Sequence, residues 1–253
     1  MFIDEFSFDH PNNQGSGKWN RLVPLAQSEP AFSLLEKQFL KGWKHPKKTK
    51  PQVRAIFKIL SSEASLKPYH QYRSNPANEQ LLFHGTNRCC MLAEDGTRIR
   101  LCSLSECFLC GVIRNSFDIR KCGTKNKFRR FGTGIYTTSC SSSKLYSIFD
   151  VEADDYALNI ERSSRLRVLL VNRVVVGKPY KRRQNAVNLT EPPCGHHSVL
   201  GEPGVDLNYE ETVVYDNDAI RPAYLIVYGD GVPELHSKMH SLLMALFKTP
   251  VAS

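Results

Sequence analysis

Short apolar segments bounded by turn residues constrain the fold of this chain more than any other feature. Each is rich in Val, Ile, Leu or Tyr, and the clearest are residues 81–86, 166–177, 211–216 and 223–228. Their lengths and composition predict β-strands. Because helical patterns do not alternate regularly with these segments, they fit an antiparallel-rich sheet better than repeated βαβ units. The sequence therefore predicts an α+β fold.

Two stretches have the periodicity of a helix that packs on a sheet. The first runs from Glu29 to Trp43, and its apolar stripe is Phe32, Leu35, Phe39 and Leu40. The second follows Pro233, and its stripe is Leu235, Met239, Leu242, Leu243 and Leu246. We therefore expect helices to flank the sheet, and the turn-rich residues 11–30 to form an irregular lead-in.

The composition of the 253 residues, with 41% hydrophobic and 23% charged residues, is that of a globular protein. No apolar run approaches the roughly 18 residues that a membrane-spanning helix needs, so we expect no membrane partner. The N-terminal sequence MFIDEFSFDH lacks the basic and apolar regions of a secretory signal. We therefore expect an intracellular location, either nuclear or cytoplasmic.

The chain has a formal charge of +9, from 34 Lys and Arg against 25 Asp and Glu. Much of the excess lies in three basic clusters, within residues 37–50, 120–130 and 178–183. Such clusters attract anionic partners, including nucleotides and nucleic acid. Each cluster taken alone is more simply explained as a solvated surface, so charge indicates an anionic partner without identifying it.

Four sequence pieces carry the information on function, and they are NEQLLFHGT (78–86), FGTGIYTTSCSSSKLY (131–146), HSVLG (197–201) and NYEETVVYDNDAIRPAYLIVY (208–228). In order and spacing they resemble the catalytic domain of the poly(ADP-ribose) polymerase-like ADP-ribosyltransferases. The resemblance implies that fold, with a split sheet flanked by helices. It also matches residues 53–59 and 69–73 to a lead-in helix and loop.

The resemblance implies a division of the chain into three parts. Residues 1–50 are expected to form a lead-in and helix packed on the domain, and residues 51–232 the catalytic domain. Within that domain, residues 88–122 are a cysteine-rich insertion. Residues 233–253 are expected to form a C-terminal helix and tail.

Members of this family cleave the nicotinamide glycosidic bond of NAD+ and transfer ADP-ribose to an acceptor. Cleavage develops positive charge on the ribose, which a nearby carboxylate stabilises most strongly in the transition state. Strand periodicity places Glu211 on one face with Val213 and Tyr215, while Glu210 and Thr212 lie on the other face, which we expect to be solvated. The resemblance independently places Glu211 at the catalytic glutamate. The alternative is a buried Glu in an ion pair.

His84 follows an apolar run and precedes Gly85, so its ring should project where a strand ends. Taken alone, it is also consistent with a histidine packed in the core. The resemblance implies that His84 belongs to the catalytic set and binds the adenosine ribose of NAD+. It further implies that the backbone of Gly85 binds the nicotinamide carboxamide and that Thr86 adds a hydroxyl contact.

Two tyrosines in the second piece are candidates for contact with nicotinamide, because a phenol ring can stack on a flat aromatic group. By resemblance, Tyr136 completes a His-Tyr-Glu catalytic set and Tyr146 stacks on nicotinamide. Ser143 would donate to the carboxamide oxygen, although Ser141 and Ser142 stand beside it. Ordinary core packing is the alternative for either tyrosine.

The insertion contains six of the eight cysteines of the chain. Cys107 and Cys110 have the spacing of a zinc knuckle, and Cys102 precedes them by five residues. Cys90 is the preferred fourth ligand, with Cys89 or Cys122 as alternatives. A structural Zn²⁺ would order a segment poor in large apolar residues. Thiols without metal, or a disulfide, are the other interpretations.

The leading functional hypothesis is an NAD+-dependent ADP-ribosyltransferase whose acceptor is a protein or nucleic acid. An NAD+ glycohydrolase is the second hypothesis, because water can replace the acceptor at the same site. An inactive module that binds NAD+, ADP-ribose or nucleic acid is the third. The presence of Glu211 favours an enzyme.

Overall fold

The computed structural model describes residues 21–45, 48–94, 98–122, 129–142, 166–204 and 206–229. The strands in this part of the chain are β1 (Leu22–Pro24), β2 (Val53–Ile59), β3 (Glu79–His84), β4 (Ile135–Thr137), β5 (Arg167–Val175), β6 (Pro179–Arg182), β7 (Ser198–Gly201), β8 (Glu211–Val214) and β9 (Ile220–Tyr228). The α-helices are α1 (Pro30–Gly42), α2 (Glu63–Ser74) and α3 (Phe108–Asn115). Short 3₁₀ turns occur at Ile119–Lys121 and Asn217–Ala219.

The larger sheet has the strand order β1-β2-β9-β5-β3, and all neighbouring strands in it are antiparallel. In β5, the consecutive residues Leu169, Leu170 and Val171 are all buried. Since successive side chains point to opposite faces of a strand, this burial means that both faces of the sheet are covered. The strands predicted within 166–177 and 223–228 are therefore confirmed.

The smaller sheet has the strand order β4-β8-β7-β6, in which only the β6–β7 pair is parallel. The two sheets meet where Phe83 of β3 and Thr138, just after β4, exchange backbone hydrogen bonds of 2.8 and 3.0 Å. This split, antiparallel-rich arrangement with flanking helices confirms the predicted α+β fold class.

Helix α1 packs on the larger sheet, as its periodicity predicted. Pro30 stands in its first turn, where the missing N–H of proline is tolerated, and Leu35 and Phe39 are buried. The helix ends at Gly42, where a Cβ atom would lie 2.7 Å from the carbonyl oxygen of Ser139. This close approach joins α1 to the segment that follows β4.

Three expectations about the N-terminal half are wrong. Residues 53–59 form strand β2 rather than a helix, because their β-branched and aromatic side chains suit pairing with β9. Residues 69–73 lie inside α2 rather than in a loop. The lead-in expected to be irregular contains β1, which pairs with β2.

The helix predicted after Pro233 lies outside the described residues. The proposed boundaries at residues 50 and 232 stay predictions. Among the helices of the described ranges, none is long and apolar enough to cross a membrane.

Candidate active site

Glu211 is the first residue of β8 and is only 3% exposed. Within the described residues, its Oε2 atom is buried without a hydrogen-bond partner, and no ion pair involves the side chain. Burial raises the pKa of Glu211 to about 7, and the positive charge of Arg130 opposes part of that rise. The described contacts therefore favour a functional acid over the alternative of a buried ion pair.

The expectation that one face of β8 is solvated is wrong. Thr212 is buried, and its carbonyl oxygen accepts a hydrogen bond of 2.9 Å from the Thr137 hydroxyl. The strand lies between β4 and β7, and all four of its residues are buried. Period-two alternation correctly separated Glu211 from Thr212, but it could not reveal that protein covers both faces.

Strand pairing brings Glu211 and His84 into the same region. Thr137 of β4 is paired with Thr212 of β8. One residue later, the hydroxyl of Thr138 donates a 2.6 Å hydrogen bond to the carbonyl oxygen of Glu210, while its backbone pairs with Phe83. Thr138 thus bridges the residue preceding His84 and the residue preceding Glu211.

His84 ends β3 and is half-buried. Its Nδ1 atom lies 2.8 Å from the carbonyl oxygen of Tyr136, so Nδ1 carries the proton in this contact. Burial lowers the pKa of His84, which favours the neutral ring at pH 7. In that state, Nε2 is a hydrogen-bond acceptor, suited to a ligand hydroxyl.

Tyr136 is buried in a small core with Phe131, Val199 and Val213. Its hydroxyl accepts a hydrogen bond from the Phe131 N–H and donates one to the Gly132 carbonyl oxygen, both at 2.9 Å. These bonds fix the ring, and the main chain of the same residue orients His84. The structure therefore places the three residues of the predicted catalytic set on the adjoining strands β3, β4 and β8, with Tyr136 as much a core residue as a site residue.

The remaining predicted NAD+ contacts are only partly described. Gly85 and Thr86 are half-buried in the loop after β3. The same loop is joined to α3 by a 3.0 Å hydrogen bond from the Leu109 N–H to the Asn87 carbonyl oxygen. Ser143 and Tyr146 lie outside the described residues, so their contacts stay predictions.

The four favoured metal ligands converge: the Sγ atoms of Cys90, Cys102, Cys107 and Cys110 all lie within 4.8 Å of one another. We call this group the four-cysteine cluster. The sulfur of Cys90 is 3.7 Å from those of Cys107 and Cys110. Tetrahedral zinc with Zn–S bonds of about 2.3 Å separates its sulfur ligands by about 3.8 Å. The cluster is compatible with such an ion.

The structure does not support a disulfide, or Cys89 or Cys122 as the fourth ligand. The 3.7 Å separations are much longer than the roughly 2.05 Å of a disulfide bond, and no disulfide joins any of the eight cysteines, all of which are described. Cys89 and Cys122 stand outside the cluster. The Cys89 N–H instead donates to the Cys107 sulfur at 3.4 Å, and the neighbouring Cys110 and Cys90 thiols hold the Cys107 pKa well below its usual range.

Sequence reasoning missed two residues that adjoin the site. The sequence groups Arg130 with the basic cluster at 120–130, but the residue is only 9% exposed and acts electrostatically on Glu211. Its position next to the FGTG turn was the only available signal. Phe117 approaches His84 edge-on, with ring centroids 5.0 Å apart and an interplanar angle of 89°. No sequence pattern indicated that contact.

The chain matches the model of a known protein family. A family model described as Poly(ADP-ribose) polymerase catalytic domain matches residues 30–229. The matched range contains the four motif pieces, the four-cysteine cluster and every described strand except β1.

Proposed function

The chain belongs to the poly(ADP-ribose) polymerase catalytic-domain family, and from this membership we propose that it is an NAD+-dependent ADP-ribosyltransferase. Its substrate is NAD+, and its acceptor is a macromolecule. The observation that carries the proposal is the buried Glu211 carboxyl group, one of whose oxygens has no hydrogen-bond partner in the described part of the chain. Such a group is costly to retain unless a ligand uses it.

In the proposed reaction, the bond between the ribose C1′ atom and the nicotinamide nitrogen breaks, and its electron pair leaves with nicotinamide. The ionised Glu211 carboxylate hydrogen-bonds a ribose hydroxyl and stabilises the positive charge that develops on the sugar. An acceptor nucleophile then bonds to C1′ and loses its proton to this carboxylate or to solvent. Burial strengthens the electrostatic effect, because protein replaces water around the charge.

The other site residues are proposed to bind NAD+ in a fixed orientation. His84 accepts a hydrogen bond from the adenosine ribose at Nε2, since Nδ1 is directed to Tyr136. Gly85 offers its backbone to the nicotinamide carboxamide, with Thr86 beside it. Roles for Tyr136, Ser143 and Tyr146 around nicotinamide rest on the family resemblance alone.

We propose a protein as the acceptor in preference to nucleic acid. In two of the three basic clusters, ion pairs or burial offset part of the positive charge. In the 178–183 cluster, Lys181 and Arg183 both pair with Glu202, at 3.1 and 3.4 Å. In the 120–130 cluster, Arg120 pairs with Asp118 at 2.9 Å, and Arg130 is buried. Ion pairing and burial reduce the positive field that would attract a polyanion.

We also propose that the four-cysteine cluster holds a structural Zn²⁺. Four converging thiols with sulfur spacings near tetrahedral values suit zinc, and a ligand set of four cysteines leaves no open position for catalysis. Reduced thiols persist in reducing compartments, which agrees with a nuclear or cytoplasmic location.

The proposal is tested by incubating the protein with adenylate-labelled NAD+, total cell protein, DNA and RNA. We expect nicotinamide release and label attached covalently to the protein fraction. Label in the nucleic-acid fraction would contradict the acceptor class. Nicotinamide release without any attached label would identify a glycohydrolase, and NAD+ binding without nicotinamide release would identify an inactive module.

A further inference from the structure

A single helix, α3, links the four-cysteine cluster to the proposed NAD+ site. Cys107 precedes α3 directly, and Cys110 lies in its first turn. Cys90 comes from the segment after β3, and Cys102 from a separate loop. A metal bound by these thiols would therefore join three stretches of chain at the beginning of α3.

The far end of α3 leads to His84. After the helix, Ser116 adopts a positive φ of 64° and its N–H bonds to the Val112 carbonyl oxygen at 2.8 Å. This turn directs Phe117 inward, where it is only 8% exposed and contacts the His84 ring edge-on. The Arg114 side chain also donates to the Cys102 carbonyl oxygen, so the second half of α3 is bonded back to a ligand loop.

His84 is thus held from two directions. The Tyr136 carbonyl oxygen binds Nδ1, and the Phe117 ring limits rotation of the imidazole. An edge-on aromatic contact favours one ring orientation over others. Together they keep Nε2 available to a ligand.

We propose that Phe117 is a positioning residue that couples the metal of the four-cysteine cluster to His84, and that metal binding therefore sets the affinity for NAD+. This inference rests on the proposed function for its choice of ligand. Loss of the metal releases the start of α3, so Phe117 no longer fixes the His84 ring. The imidazole then turns away from the Tyr136 carbonyl oxygen part of the time and samples both tautomers. Glu211 lies on β8, in the smaller sheet, so the effect falls on NAD+ binding more than on bond cleavage.

The test compares four variants with the parent protein. Phe117→Leu keeps an apolar side chain but removes the ring, and Phe117→Tyr restores the ring. Cys102→Ser removes a proposed ligand, with Cys122→Ser as its matched control, because Cys122 is in the insertion but outside the cluster. Each is measured for zinc content, for the Kd of NAD+ by calorimetry, and for the imidazole ¹⁵N shifts of His84. Circular dichroism verifies folding.

We expect Phe117→Leu to retain zinc, to weaken NAD+ binding about two- to tenfold, and to average the two imidazole ¹⁵N shifts. Phe117→Tyr should return the Kd of NAD+ and the His84 ¹⁵N shifts toward those of the parent protein. Cys102→Ser, or dialysis of the parent against a chelator, should remove zinc and produce the same two changes, whereas Cys122→Ser should change neither.

Unchanged affinity and unchanged His84 shifts in Phe117→Leu would overturn the inference. Loss of zinc that leaves the NAD+ affinity and the His84 shifts unchanged would also overturn it. The same holds if the parent protein contains less than about a tenth of an equivalent of zinc. The proposed function fails separately, if the parent binds NAD+ but releases no nicotinamide. The His84 shifts need no ligand, so they decide the inference even then.

Discussion

The Nδ1 atom of His84 lies 2.8 Å from the backbone carbonyl oxygen of Tyr136. The main chain at the middle of β4 therefore provides the hydrogen bond that orients this histidine, and the Phe117 ring packs against it edge-on. The Tyr136 hydroxyl is used elsewhere, between the Phe131 N–H and the Gly132 carbonyl oxygen. Tyr136 consequently influences His84 through strand position and ring packing.

Tyr136→Phe should therefore reduce stability more than NAD+ binding. The change leaves the Phe131 N–H and the Gly132 carbonyl oxygen without their hydroxyl partner, at a cost of about 1–3 kcal/mol in the free energy of unfolding. His84 keeps its carbonyl partner, so we expect KM for NAD+ to change less than about threefold. Urea unfolding and steady-state kinetics measure the two effects. A variant of normal stability with lost turnover would show that the hydroxyl contacts substrate.

The pH profile of turnover should report the ionisation of Glu211. Because burial raises its pKa to about 7, the carboxylate forms as pH rises through that value, and kcat/KM should rise with it. Arg130 opposes this rise in pKa, so Arg130→Gln should move the acid limb to higher pH. Arg129→Gln is the matched control, since the Arg129 side chain bonds Thr133 instead. An Arg130→Gln profile with an unmoved or lowered acid limb would contradict this electrostatic assignment.

Glu211→Gln should also stabilise the protein at alkaline pH. The ordinary pKa of 4.5 applies to the unfolded chain and about 7 to the folded one, so the folded state holds the proton more tightly. Stability from this group is fully present below pH 4.5 and is lost as pH rises through about 7. Above that pH, we expect Glu211→Gln to exceed the parent in unfolding free energy by up to about 3 kcal/mol. If Glu211→Gln and the parent protein have the same unfolding free energy at pH 8.5 as well as at pH 5, this prediction is refuted.

Gly132 should tolerate no side chain. It has a φ of +70°, and a Cβ atom there would lie 1.8 Å from the Leu189 carbonyl oxygen. Gly132→Ala should cost about 4 kcal/mol or more and yield little folded protein. Gly195 has a similar φ of +76° but no atom within 4 Å of the Cβ position, so Gly195→Ala should cost only about 1 kcal/mol. If thermal unfolding shows that Gly132→Ala and Gly195→Ala lose the same amount of stability, then the backbone conformation, and not the steric clash, determines the cost.

Sequence periodicity predicted the elements whose burial pattern is regular. Helix α1 and strands β5 and β9 were recognisable because one apolar stripe or one continuous apolar run marks each. Strand β2 was misassigned, although its residues favour a strand, because the family resemblance was applied to them in place of their own composition. The burial of Thr212 was missed because alternation along a strand does not reveal that protein covers both faces of β8.

The site was predictable where residue type and spacing carried the chemistry. The spacing of Cys107 and Cys110 indicated a metal site, Cys90 was the preferred fourth ligand over Cys89 and Cys122, and the structure places its sulfur with the other three. Arg130 and Phe117 were not predictable as neighbours of Glu211 and His84, because these contacts join residues far apart in the sequence. Only the folded chain defines such contacts.

The most direct test of the central claim is nicotinamide release by Glu211→Gln, measured beside NAD+ binding. The amide keeps the shape of the side chain but removes its charge, so we predict a fall in kcat of about 100- to 1,000-fold with Kd for NAD+ changed by less than about threefold. Glu210→Gln, one residue away and half-buried, is the matched control and should retain turnover. A Glu211→Gln protein that keeps most of its turnover, or a Glu210→Gln protein that loses it, would contradict the account.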